Sequence, residues 1–203
     1  MQVTHPNKIC VPVEQALREW RGAGHFEIKF DGVFTVREVT GGILVGETVG
    51  NRFTAFDCVE RGGWDIRVHP LDLRLRARGE LCHANGIDEI PSCESNGADL
   101  LERVLAAGGE GVVLKSSGDY WQPMLAAKRS IIVTVRVTGF CGGTQSVQIA
   151  DAATGQPRGK VALRGGKCEQ VRIGSLVRVE GMNLTDDGKI RQPNPARQWL
   201  VQY

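Results

Sequence analysis

The chain has 203 residues, 41% hydrophobic and 24% charged, with 26 Gly and 8 Pro, an ordinary globular composition long enough for one large domain or two small ones. No apolar run approaches the roughly 18 residues of a membrane span, and the opening stretch MQVTHPNKICVPVEQALREW lacks the apolar core of a secretion signal, so a soluble cytoplasmic protein without a membrane partner is expected. The formal net charge of +2 is divided unevenly: residues 1–128 hold 14 Lys/Arg against 18 Asp/Glu, a net of −4, whereas residues 129–203 hold 11 against 5, a net of +6.

In chain order, residues 10–23 read as a short helix, with Val13, Leu17 and Trp20 at helical spacing. Strand-like runs follow at HFEIKFDGVFTVREV (25–39), ILVGETV (43–49) and RFTAFDCVE (52–60). The first two are joined through Thr40-Gly41-Gly42, a Gly-rich hairpin signal. PLDLRLRARGELC (70–82) reads as helical, and ADLLERVLAAGG (98–109) is a helix with Gly108-Gly109 as its stop. GEGVVLKSS returns to strand. Past Lys128 the texture changes to IIVTVRVTGF, SVQIADA, GKVALRG, GSLVRVEGMNL and the QWLVQY tail, short strands separated by Gly-rich or Asp-rich turns. Five or so strands in about 75 residues, with no strong helix, suggest a small barrel such as an OB fold. The expectation is an α+β chain with domains at 1–129 and 130–203.

Six cysteines (Cys10, Cys58, Cys82, Cys93, Cys141, Cys168) are spread singly. None forms a C-x-x-C pair, which argues against a zinc ribbon or a dithiol redox site; reduced and mostly buried thiols are expected. The basic C-terminal third suits a polyanionic partner.

The chemistry-bearing residues are individually plain. EIKFDG places Glu27, Lys29 and Asp31 at alternating positions, on one face of a strand, a pattern that a surface ion pair also produces. GETV supplies Glu47, on a strand expected to pair with that of Lys29. TAFDCVE supplies Phe56-Asp57, GGEGVVLKSS supplies Glu110 and Lys115, and AAKRS supplies Lys128.

Their order and spacing resemble the covalent nucleotidyltransferases: ATP-dependent DNA ligases, RNA ligases and mRNA capping enzymes. EIKFDG is similar to the nucleophile motif E-x-K-x-D-G, and ILVGE to the D-G-E strand with Val45 in place of Asp. The stretch from TAFDCVE to RLRARGEL resembles the ligase path from an aromatic-Asp strand to a P-L-x-x-R helix. EGVVLK matches the fourth motif closely and MLAAKRS the fifth in part. GSLVRVEGMNLTDDGKIRQP resembles the end of a ligase OB domain, which tilts the likeness toward minimal ATP-dependent DNA ligases of viral or accessory bacterial type. NAD⁺-dependent ligases carry a further N-terminal domain and a cysteine zinc module; only 28 residues precede Lys29, so ATP is expected.

The resemblance implies a fold, a nucleotidyltransferase domain of antiparallel sheets and helices followed by an OB barrel, and a site. Lys29 would attack the α-phosphate of ATP and carry AMP. An attacking amine must first lose its proton, which Mg²⁺ and the cations Lys115 and Lys128 favour. Glu110 and Glu47 would be the metal-side carboxylates, with Glu47 also near the ribose. Phe56 would stack on adenine, with Glu27 and Ile28 also in the nucleotide-binding set. Lys115 and Lys128 would contact the AMP phosphate, and Asp31 would order the nucleophile strand. The implied partner is nicked duplex DNA, bound by a monomer, with Arg158, Lys160, Arg164, Lys167, Arg172 and Arg178 as phosphate contacts.

The chain also departs from the pattern. Phe34 stands where an Arg usually follows the nucleophile motif, with Arg37 as a substitute, and the Ser-Arg motif before Glu47 has no room. Ala126 replaces one of the paired lysines of the fifth motif. The C-terminal R-x-D-K motif is absent, leaving Arg191 and Arg197 nearby. These losses predict slow charging by ATP with sealing of pre-adenylylated nicks retained. An RNA ligase, a capping-type guanylyltransferase and a non-catalytic nucleic-acid-binding relative remain as alternatives.

Overall fold

The computed structural model describes residues 3–182 and 184–201, with the side chain of Arg197 also outside the description. The chain forms two compact units, Met1–Lys128 and Arg129–Tyr203, and is mixed α+β. No helix among the described residues is long and apolar enough to cross a membrane.

The first unit runs β1 (Lys8–Val11), α1 (Val13–Glu19), β2 (Ala23–Lys29), β3 (Val33–Val39), β4 (Gly42–Val49), β5 (Arg52–Arg61), β6 (Trp64–Asp65), α2 (Leu71–Asn85), β7 (Asp88–Glu89), β8 (Ser92–Ser95), α3 (Gly97–Ala106), β9 (Gly111–Lys115) and β10 (Met124–Lys128). One sheet has the order β1-β10-β9-β2-β8, the other β3-β4-β5-β6 with β7 beside β5. Helices α1 and α3 cover the first sheet through Ala16, Trp20, Phe26, Leu101, Val104 and Val112. Helix α2 covers the second through Leu81 and Cys82, against Leu44, Phe53 and Ala55.

Several expectations need correction. The helix expected over 10–23 occupies only Val13–Glu19, because Pro12 itself is extended (φ −58°, ψ 142°) and a proline disfavours the helical region for the residue before it. The run 25–39 is two strands, not one. It breaks at Phe30-Asp31-Gly32, and its halves lie in different sheets. Consequently the strand of Glu47 pairs with β3 and β5, not with the strand of Lys29. The sheets are not wholly antiparallel either: β1 pairs parallel with β10, and β7 with β5. These partners meet across long connections, so no hairpin dictates their polarity. Of the cysteines only Cys58 and Cys82 are buried; burial pushes their thiols up to about 12 and about 11.

The hairpin at Thr40-Gly41 is present, with Gly41 at φ +92°, a backbone region that glycine enters at little cost. Helix α2 ends on Gly86 in the left-handed conformation, whose N–H donates to the Cys82 carbonyl.

The second unit is one antiparallel sheet of β11 (Ile131–Phe140), β12 (Ser146–Asp151), β13 (Pro157–Ala162), β14 (Leu176–Gly181) and β15 (Asn194–Leu200), in the order β13-β12-β11-β14-β15. Gln202 and Tyr203 of the expected tail strand lie outside the described residues. Alternation sets the faces: Val135, Val137, Val177 and Val179 are buried, while Thr134, Arg136 and Arg178 point outward. The segment before β15 reaches back to β13, where the Ile190 N–H donates to the Arg158 carbonyl at 3.0 Å. This curl is consistent with an OB-type barrel.

Candidate active site

Strand β2 presents Glu27 and Lys29 on one face, two residues apart. Its neighbour β9 is in register with Lys29 opposite Gly111, and on the far side of β9, Lys128 of β10 faces the same glycine. A Cβ at Gly111 would lie 2.1 Å from the Ala127 carbonyl oxygen, so the three strands close up here only with glycine. Glu110, immediately before β9, therefore lands beside Lys29: its Oε1 lies 2.7 Å from Nζ. The other oxygen, Oε2, is buried and has no hydrogen-bond partner.

Glu47 arrives from the second sheet. The turn at Asp31-Gly32 brings the Gly32 N–H to its Oε2 at 3.2 Å; a Cβ on Gly32 would meet the Thr48 carbonyl at 2.8 Å. Lys8 of β1 approaches the other oxygen of Glu47 at 3.7 Å. Burial, then the charge of Lys29, lowers the Lys8 pKa against the pull of Glu47 and Glu110.

Phe56 occupies a β-bulge. Val45 pairs with Asp57 and Gly46 with Ala55, leaving Phe56 as the extra residue of β5. A bulge takes the carbonyl out of the ladder, and here that carbonyl accepts from Arg78 Nη1 at 3.1 Å and from the Lys115 ammonium. The Lys115 Nζ also sits 5.3 Å from the centre of the Phe56 ring. Phe34 and His5 flank Phe56, with ring centroids 6.2 and 6.0 Å away.

Behind these groups lies a buried ionic node. Glu27, 2% exposed, receives His25 Nε2 at 3.0 Å and Arg78 Nη1 at 2.7 Å on Oε1, and Lys115 at 3.2 Å on Oε2. Burial alone would raise its carboxyl pKa; Lys115, His25 and Arg78 outweigh it and hold the pKa below its ordinary value. Lys115 continues to Asp57 (3.6 Å), which Arg74 also grips at 3.1 Å. Arg74 and Arg78 are four residues apart and share one face of α2.

Glu27, Ile28, Lys29, Glu47, Phe56 and Lys115 thus line one cleft, together with Lys8, Phe30, Ile90, Val113 and Met124, and Glu110 joins through Lys29. Asp31 and Lys128 lie at the ends of the adjoining segments and do not line it. Its interior cavity of about 20 Å³ has room for a water, not a nucleotide. No group of three or more acidic, His or Cys side chains among the described residues is placed to hold a metal ion by itself. Arg37, the expected substitute for the missing motif arginine, lies over the Phe53 ring at 5.4 Å and does not line the cleft. Sequence reading missed Lys8, His25 and Arg78, and placed Arg74 in the P-L-x-x-R helix without giving it a site role. Only the Arg74/Arg78 spacing carried a local signal.

Among the basic residues of the second unit, Lys160, Arg164, Arg172 and Arg178 are exposed. Arg158 instead pairs with Asp151 (2.8 Å) and donates to the Gly188 carbonyl, and the Lys167 ammonium lies 5.6 Å from the centre of the Trp199 ring.

Neither a family model nor a curated protein sequence matches the chain. Among solved structures it is similar to a Lig E DNA ligase, described as binding DNA with a minimal scaffold, at 16% identity and a TM-score of 0.66, over 96% of this chain and 99% of that one. It is also similar to mycobacterial DNA ligase D complexed with ATP and MES, at 15% identity and a TM-score of 0.54, over 97% and 94%. At these identities the likeness is one of fold, and it extends over nearly the whole length of the chain.

Proposed function

We propose that the protein is an ATP-dependent DNA ligase that seals 5′-phosphate/3′-hydroxyl nicks through a lysyl-AMP on Lys29. The observation that carries this reading is the Lys29–Glu110 pair. The Lys29 amine is held 2.7 Å from Glu110, whose second oxygen is buried and unpartnered, with Lys8, Lys115 and Glu47 lining the same space. A buried carboxylate oxygen without a donor is costly and is suited to a cation. Mg²⁺ is commonly held by one or two carboxylates plus substrate phosphates and waters, which fits Glu110 with Glu47. When bound it would neutralise phosphate charge.

In the first step Lys29 Nζ forms a bond to the α-phosphorus, the bond to the β-phosphate breaks, pyrophosphate leaves and the amine proton passes to solvent. Lys115, anchored by Glu27 and Asp57, stays in place to receive phosphate charge, and Phe56 supplies the apolar wall for the base. AMP then passes to a 5′-phosphate, and a 3′-hydroxyl displaces it. Most of this is positioning and charge neutralisation.

The fold shared with DNA ligases and the basic second unit favour DNA over RNA. The test is incubation with α-labelled ATP and Mg²⁺ followed by a denaturing gel, with wild type and Lys29→Ala, and then sealing of nicked DNA. Label retained by wild type and lost in Lys29→Ala is expected. A wild type that neither takes label nor seals a pre-adenylylated nick would overturn the reading in favour of a binding-only protein. Preference for nicked RNA would move it to an RNA ligase, and preference for GTP to a guanylyltransferase.

A further inference from the structure

Residues 3–9 carry no expected role, yet Lys8 among them lines the cleft. The segment is anchored at successive points: Tyr120 Oη donates to the Thr4 carbonyl at 2.9 Å, the Met124 N–H donates to the Asn7 carbonyl at 2.9 Å, and β1 then pairs in parallel with β10. The His5 ring packs 4.9 Å from Phe34 and 6.0 Å from Phe56. Lys8 follows, with its ammonium aimed into the cleft that also holds Lys29. Its side chain is 22% exposed, and its nearest carboxylate, Glu47, is at 3.7 Å, a loose contact beside the 2.7 Å between Lys29 and Glu110.

We infer that Lys8 is a further phosphate-binding residue, holding an anionic oxygen of the nucleotide's phosphate chain alongside Lys29. Lys8 and Lys29 share the cleft with Lys115, and the carboxylates facing the first two are Glu47 and Glu110. An arriving phosphate chain brings more negative charge than those carboxylates supply, so both cations gain by its entry. Neither nearby alternative serves: Phe34 presents an aromatic ring, and Arg37 lies over Phe53.

The inference rests on the cleft being a nucleotide site, and the test separates the two ideas. Binding of adenosine and of α,β-methylene-ATP, which cannot transfer AMP, is measured by calorimetry on wild type, Lys8→Gln and Lys8→Arg. Lys8→Gln should weaken the triphosphate roughly 10- to 100-fold, the range of a lost charge-assisted hydrogen bond, and leave adenosine unchanged. Lys8→Arg should keep triphosphate binding within about threefold of wild type. Unchanged triphosphate affinity in Lys8→Gln overturns the inference, and so does an equal loss for adenosine, the mark of a merely structural role. A wild type that binds the triphosphate through Lys8 but takes no label from ATP defeats the ligase reading alone. A wild type that binds neither ligand defeats both.

Discussion

Arg78 Nη1 lies 2.7 Å from Oε1 of Glu27 and 3.1 Å from the carbonyl of Phe56, so one guanidinium on α2 fixes both the strand that carries Lys29 and the bulge that carries Phe56. Its Nε is satisfied separately by Glu89 at 2.8 Å. Removing one partner of a buried ion pair costs about 3–5 kcal/mol, because the remaining charge stays buried. Glu27 would keep His25 and Lys115, which places Arg78→Ala near the lower end. Urea unfolding at pH 7 should show a loss of about 3 kcal/mol; a loss under about 1 kcal/mol would mean the node is not structural.

The same node sets an acid limit. The folded-state pKa of Glu27 is depressed below its ordinary 4.5, so its ionised form is favoured by folding. That contribution is complete above about pH 4.5 and disappears as pH falls through the lower folded value. Chemical unfolding of wild type and Glu27→Gln from pH 7 to pH 3 should therefore give a stability gap that is level down to about pH 5 and narrows below it. A gap that widens on acidification would contradict the assignment.

How legible this was in the sequence depended on whether the signal was local. EIKFDG and EGVVLK were legible as short local runs, each holding its charged residues beside a glycine that the packing requires, Gly32 and Gly111. Lys8 gave no such signal: its strand pairs in parallel with β10, far along the chain, and nothing within NKICV encodes that partner. The alternation in 25–39 runs on through Asp31-Gly32, which hid the change of sheet and with it the true neighbours of Glu47. Arg74 and Arg78 lie in a stretch read only as helical; their burial is tolerable because the carboxylates of Glu27, Asp57 and Glu89 and the carbonyls of Phe56, His69 and Gly118 receive them.

Glu110 separates metal-side chemistry from simple packing. Under the proposed mechanism Glu110→Gln keeps the shape but loses the charge facing Lys29, and the rate of lysyl-AMP formation should fall by about 10²–10³, as when one positioned electrostatic group is removed from a reaction centre. Chelation with EDTA should abolish labelling of the wild type and excess Mg²⁺ should restore it. Labelling that survives EDTA would exclude the proposed use of Glu110.

The missing leaving-group motif makes a kinetic prediction. Under the proposed mechanism, charging needs the pyrophosphate oriented as it leaves, and poor orientation would cost rate in the charging step alone. Single-turnover sealing of a pre-adenylylated nick should outpace sealing that begins from ATP and unadenylylated enzyme. Equal rates for the two would show that charging is not impaired.

The second unit offers a contrast between exposed and engaged cations. If it meets a duplex backbone, Lys160, Arg164, Arg172 and Arg178 are free to do so at the surface, whereas Arg158 is committed to Asp151 and the Gly188 carbonyl. Each phosphate contact contributes about 0.9 to the slope of log affinity against log salt. Alanine at an exposed position that touches phosphate should lower that slope by about one and weaken nicked and intact duplexes alike. Arg158→Ala should lower Tm and leave the slope in place, since its loss opens the join between β13 and the segment before β15 and not the DNA-facing surface. Filter binding across a salt series, with melting curves on the same preparations, decides between them: a slope change in Arg158→Ala at unchanged Tm would put Arg158 on the DNA instead.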